Sequence, residues 1–417
     1  MPFSRAVLSA ISKPPTMMRI LLYALFVASS WATLHHLIAG TNDGQALYSL
    51  ELDDQARLVY WIQARDAAGT SPSLALDRTK KHVFSSRPAK GTITRFAIQS
   101  NYELVDEGTM ELEHSCNTTT FNSLHLTSAS QNYGIWGSAS TGDCSVLFGL
   151  TTDGYTQLRS KEIHGDVHSL AWGPKGHNIH ALNSRASSST TTSIVNFRIS
   201  EDPNLEDIIS TDLLSNVSDS SQIVAHPSSN RIYVVTKGTN ELVTMIVQQS
   251  DTSIKLAAAP LRFKILPSSL DASRFHTSSL AISASGKTLW TLSQSSSQAV
   301  IVAFTLDATT GDVVDAAARA SWGGTGEGQL TAAPFEGGDI VAITNSPLGY
   351  ITLLGLEQAS VMAAQSIEYN TGHEYLQQLN VGDEMGSSNA AAPARIKSYG
   401  RTILDDVISI GESIWLD

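Results

Sequence analysis

The chain is poor in cysteine, in charge and in basic clusters. Two cysteines in 417 residues exclude a disulfide-scaffold protein and a structural zinc site built from four thiolates. Only 16% of residues are charged, and 27 Lys+Arg against 39 Asp+Glu leave a net charge of −12. Without a long basic run, the chain lacks the cation cluster that a nucleic-acid or anionic-membrane partner demands, so neither is expected. No Gly-rich phosphate loop, nucleophile elbow or His-Glu-x-x-His motif occurs, and no cofactor or metal is expected. What is present is 42% hydrophobic residues, enough at this length for one large domain or two ordinary ones.

The N-terminus has its own pattern. Arg19 precedes the apolar run Ile20–Ala28, and small residues at Ser30 and Ala32 follow it. A run of about ten residues is short for a bilayer, so residues 1–32 are read as a secretory signal, with a signal anchor as the alternative. That reading places the mature chain, 33–417, in the secretory lumen or outside the cell, with no membrane contact after signal removal. Asn117-Thr118-Thr119 and Asn216-Val217-Ser218 are glycosylation sequons. Cys116 and Cys144 permit one disulfide in an oxidising compartment, and two unpaired buried thiols are the other reading.

After residue 40 no sustained 3.6-residue apolar period appears, while short β-rich runs bounded by Gly, Ser, Asn and Asp recur throughout. This is an all-β pattern. A looser repeat sits on it: an apolar-x-apolar step, a polar turn, then a second β-run. Marking the copies by Leu76, Leu124, Leu170, Val224, Leu280 and Leu330 gives spacings of 48, 46, 54, 56 and 50 residues. Four short strands and their turns fit that pitch, which is the pitch of a propeller blade. The β-like residues Leu37–Gly40 and Ser413–Leu416 remain at the two ends. Shared between them, a seventh blade closes the ring and leaves no open sheet edge, so a seven-bladed β-propeller closed by N- and C-terminal strands is expected.

Several stretches then resemble a known family. His35–Thr41, Asp166-Val167-His168-Ser169-Leu170, Ala225-His226-Pro227 with Asn230 and Tyr233, Ser285-Gly286-Lys287 and Ser413–Asp417 are similar to the carboxy-cis,cis-muconate cyclases, seven-bladed lactonising enzymes related to bacterial lactonases. The resemblance implies a site around the central channel where a His, a Glu and Arg residues hold a tricarboxylate. The His falls on His168, a family Arg falls on Ser221, the Glu on Lys237, and another Arg near Arg274 or His276. Losing a guanidinium and inverting a carboxylate to an ammonium argues against the tricarboxylate substrate.

A second group in the same superfamily resembles the chain in this respect: the secreted, glycosylated hetero-Diels–Alderases of fungal tropolone-sesquiterpenoid pathways. That likeness implies dehydration of a hydroxymethyl tropolone or related polyketide to an ortho-quinone methide, and its cycloaddition onto a humulene-type terpene. Such a reaction needs an apolar, water-poor pocket that holds its partners together, one proton donor and one donor to a developing enolate. His168 is the candidate acid/base; His276, Lys237 and Arg274 are candidate donors, with Ser221 beside them. Trp136, Trp172, Trp290 and Trp322 are candidate walls, with blade-to-blade packing as their plainer role. The alternatives are a carboxymuconate-type lactonising cyclase and a non-catalytic secreted binding propeller. The sequence leaves the oligomeric state unassigned.

Overall fold

The computed structural model describes residues 33–417 except 42–44, 68–72, 119, 129–133, 152–155, 175, 185–191, 200–205, 215–216, 250–253, 258, 324–327, 336–338, 345–348, 358–376, 380–393 and 405–409. The expected signal segment 1–32 and the sequon residue Asn216 lie outside the described residues.

Seven antiparallel sheets form a β-propeller. Blade 1 runs from Leu74 to Glu111, blade 2 from Ser123 to His164, blade 3 from Asp166 to Leu213 and blade 4 from Ser220 to Lys264. Blade 5 runs from His276 to Gly323 and blade 6 from Gln329 to Ile403, except that Gln377–Leu379 within the latter range pairs with the outer strand of blade 5. Blade 7 joins the ends of the chain: Ile410–Trp415 is its innermost strand, and Leu34–Thr41, Ala46–Asp53 and Leu58–Asp66 complete it. Across that seam Leu37 faces Trp415, Ile38 faces Ile414 and Ala39 faces Ser413. The closure read from the terminal residues is therefore the one the ring uses.

Each marker residue of the repeat falls on an innermost strand, and the run after it falls on the neighbouring strand. Leu76 pairs with Val83, Leu170 with Ala181, Val224 with Tyr233 and Leu330 with Ile343. The second strand of a blade has a neighbouring blade on each face, so a run such as Thr288–Gln294 is buried throughout, its polar residues included. The innermost strand instead alternates. In Asp166–Trp172 the residues Val167, Ser169 and Ala171 are buried, whereas Asp166, His168, Leu170 and Trp172 are half-buried.

Innermost strands have no further strand to pair with, and their backbone groups need other partners. Serines of the adjacent blades supply them. Val167 N–H donates to Ser145 Oγ at 2.8 Å, Ile223 N–H to Ser169 Oγ at 3.1 Å, and Leu330 N–H to Ser279 Oγ at 2.9 Å. Each of these bonds crosses from one blade to the next, so a composition that reads as loop-like also staples the ring.

The residues around Ala225-His226-Pro227 form a second staple, between blades 4 and 5. His226 Nε2 donates to Gly286 O at 3.0 Å, while its Nδ1 accepts the Ser228 and Ser229 N–H groups at 3.2 and 3.1 Å. Tyr233 donates its hydroxyl to Gly311 O at 2.6 Å. Gly311 has a φ of 72°, and a Cβ there would lie 2.6 Å from Ser229 Oγ and 2.8 Å from the Tyr233 hydroxyl. Gly311→Ala is thus expected to cost about 1–3 kcal/mol of stability through strain and crowding, read as a lowered melting temperature. Cys116, in the segment after blade 1, and Cys144, at the start of the third strand of blade 2, are joined as a disulfide.

Candidate functional site

The starts of the innermost strands, together with turns at the same end of the blades, enclose a cavity of about 570 Å³. Blade 2 contributes Ser123 and His125, blade 3 contributes Asp166 and His168, and blade 4 contributes Ser220 and Ser221. Opposite them stand His276 and Ser278 from blade 5, Gln329 from blade 6 and Gly411 from blade 7. Asp219 and Lys237 belong to the loop ends of blade 4, where Lys237 N–H donates to Asp219 O at 2.7 Å. A volume of this size suits a small organic molecule.

His168 is the most constrained side chain of the lining. Its Nδ1 lies 3.0 Å from Asp166 O and its Nε2 lies 2.9 Å from Ser220 O. Both partners are carbonyl oxygens, which only accept, so both contacts are hydrogen bonds when both ring nitrogens carry protons. The Asp166 carboxylate, 3.8 Å from Nδ1, balances the resulting positive charge. Asp166 is itself fixed by the Ser140 hydroxyl, which donates to it at 2.6 Å.

His125 stands beside this group with the opposite character. Burial, and then the charge of His168, push its pKa down to about 4, while Asp166 pulls the other way. The imidazole of His125 is accordingly neutral across the physiological range. His276 Nε2 is buried without a hydrogen-bond partner, a condition that in native structures calls for an explanation. Lys237 is exposed at the cavity. Among the described residues, no group of three His, Cys, Asp or Glu side chains is placed to hold a metal ion.

The architecture matches solved structures across nearly its whole length. The periplasmic gluconolactonase of Pseudomonas aeruginosa aligns with a TM-score of 0.64 at 12% identity, covering 92% of this chain and 99% of that one. A candidate 6-phosphogluconolactonase of Bacteroides fragilis aligns with a TM-score of 0.62 at 12% identity, covering 93% and 99%. A Lactobacillus plantarum protein gives 0.59 at 11%, covering 92% and 100%. The fold shared with these structures is the seven-bladed β-propeller. No family model matches the chain, and no curated protein matches it. At these identities the likeness carries the fold alone.

Within this seven-bladed ring, the residues singled out from sequence separate into two sets. His168, Ser221, Lys237 and His276 line one cavity. Ser221 also has a structural duty, since its hydroxyl donates to Thr277 O at 2.8 Å and so ties blade 4 to blade 5. Arg274 is not in the described lining: it sits exposed in the turn Ala272–Arg274, capped by Asp271, ahead of the first strand of blade 5. None of the four tryptophans lines the cavity either. Trp136 and Trp290 are fully buried on second strands, and Trp172 and Trp322 pack part-buried against the same inter-blade clusters. The expected apolar walls are instead serines, histidines and acids: the described lining holds no aliphatic, tryptophan or guanidinium side chain.

Sequence reasoning passed over His125, Asp166 and Asp219. The signal for His125 was present in Leu124-His125-Leu126, where an imidazole between two leucines on an innermost strand occupies the alternate face. Leu124 and Leu126 are buried and His125 is half-buried, toward the cavity.

Proposed function

We propose that the chain is an enzyme that opens or closes the ring of a small, oxygen-rich lactone. The observation that carries this reading is the lining itself: three imidazoles, an ammonium, two carboxylates and several hydroxyls and amides, with no apolar side chain among the described residues. Such walls bind oxygen atoms rather than hydrocarbon. In the opening direction, the oxygen of a water bonds to the lactone carbonyl carbon, the ring C–O bond breaks, and the ring oxygen takes up a proton; closure reverses this and releases water. The Lys237 ammonium, and His168 when both its ring nitrogens carry protons, stabilise the negative charge that develops on the carbonyl oxygen. That the solved gluconolactonase of P. aeruginosa has this fold supports the reading.

The hetero-Diels–Alder reading shares the need for proton transfer to oxygen, but its terpene partner requires an apolar berth, and the described lining offers none. We also propose a secretory location, supported by the Cys116–Cys144 bridge and by the exposed sequon residue Asn117. The partners are then small molecules.

The test is incubation of the protein with a panel of polyhydroxylated and carboxylated lactones and the corresponding hydroxy acids, with gain or loss of one water followed by mass spectrometry. Turnover is expected, and Lys237→Met is expected to lower kcat/KM by about 100-fold with folding unchanged. Inactivity on this panel, together with adduct formation from a tropolone alcohol and a humulene, would replace the lactone reading by the cycloaddition.

A further inference from the structure

The three imidazoles of the cavity differ in what their nitrogens are free to do. Those of His168 are both engaged by backbone carbonyls, at 3.0 and 2.9 Å. His276 has its Nε2 shut away in the protein. Neither His125 nor His276 has a side-chain hydrogen-bond partner among the described residues, but unlike His276, His125 has no nitrogen that is a buried orphan, so it can present a free nitrogen to the cavity it lines. A group that must take a proton from a bound molecule and return it needs such a nitrogen.

We infer that His125, and not His168, exchanges the proton with the bound molecule, and that His168 serves as a fixed cation beside it. The assignment rests on the lactone reading for its substrate, but not for its geometry. In lactone opening, the water oxygen bonds to the carbonyl carbon as its proton passes to the free nitrogen of His125. The ring C–O bond then breaks, and the ring oxygen receives that proton back from the His125 imidazolium. His168 is unsuited to this step, since releasing either proton would leave a carbonyl oxygen, Asp166 O or Ser220 O, without a donor. The depressed pKa of His125 agrees with the division of labour, because the ring is neutral and able to accept. Asp166 and His168 act on it electrostatically, and Asp219, Lys237 and His276 are the other titratable groups on the cavity.

Pyrocarbonate labelling mapped by peptide mass spectrometry tests the assignment without a substrate, because the reagent modifies neutral, accessible imidazoles. Between about pH 5 and 7, His125 is expected to label fastest of the three, with a rate midpoint below the ordinary histidine range of about 6.5. In His168→Gln that midpoint moves up, since the neighbouring charge is gone. In the lactone assay, His125→Gln is expected to lose about 100-fold in kcat with KM little changed. Faster labelling of His168 than of His125, or a wild-type kcat in folded His125→Gln, overturns the assignment. Ordered labelling with a low midpoint in the wild-type protein sustains it even where no lactone is turned over, an outcome that would remove the substrate reading alone.

Discussion

Replacing Trp136 by alanine is expected to lower stability by about 3–5 kcal/mol and to leave binding in the central cavity unchanged. The indole is fully buried on the second strand of blade 2, where it packs edge-on against Trp172 of blade 3 with ring centroids 6.4 Å apart. It also lies over Gly149 of the adjacent strand, where a Cβ would come within 3.0 Å of the ring. Strand pairing holds both sides of that space in place, so the cavity left by truncation cannot collapse. Trp136→Phe should cost much less, because the lost indole N–H has no hydrogen-bond acceptor among the described residues. Denaturant midpoints for the two variants, set beside ligand titrations, separate packing from contact with the bound molecule. A large loss of ligand affinity in folded Trp136→Phe would restore this tryptophan to the wall of the site.

The tryptophans show where sequence reading succeeds and where it stops. Strand periodicity and a pitch near fifty residues suffice for the ring, because each blade must bury both faces of its middle strands and the turns between them are polar. Leu37–Gly40 and Ser413–Leu416 were legible as parts of one blade because the ring must close: the C-terminal run pairs with the N-terminal strand and leaves no open edge there. The site is less legible. His168, His276 and Ser221, near the starts of innermost strands, and Lys237, just after the second strand of blade 4, reach one cavity, and the signal that picked them out was the family resemblance. Whether a side chain on such a strand faces the cavity or the next blade depends on an alternation with a period of two, and a register read one residue out exchanges the two faces. His125 was hidden by that ambiguity between two leucines, and the tryptophans, read as candidate walls with blade-to-blade packing as the plainer role, pack between the blades. Polar walls were not foreseen, since serines that read as turn residues are in fact arranged along the innermost strands.

The seam between blades 7 and 1 carries the other large effect. Glu412 lies on the closing strand, next to Gly411 of the cavity lining, and its carboxylate accepts the Leu74 N–H at 2.8 Å and a hydrogen bond from Ser73. Ser73 Oγ in turn accepts the Leu126 N–H at 2.8 Å, so one carboxyl anchors the innermost strands of blades 7, 1 and 2. Burial raises its pKa from 4.5 to about 7, against the lowering effect of those hydrogen bonds. The folded state therefore holds this proton more tightly than the unfolded chain does. The contribution of Glu412 is present in full below about pH 4.5 and is lost as the pH rises through about 7, for a total of about 3 kcal/mol. Glu412→Gln keeps an oxygen for the Leu74 N–H and cannot ionise. The variant should match the wild type in acid and exceed it by about 3 kcal/mol above about pH 8, a difference that urea midpoints measured across the pH range would display. Equal pH dependence in the two proteins would mean that Glu412 is hydrated and charged at the seam, and that the bonds from Leu74 and Ser73, rather than the proton, decide how firmly the ring is closed.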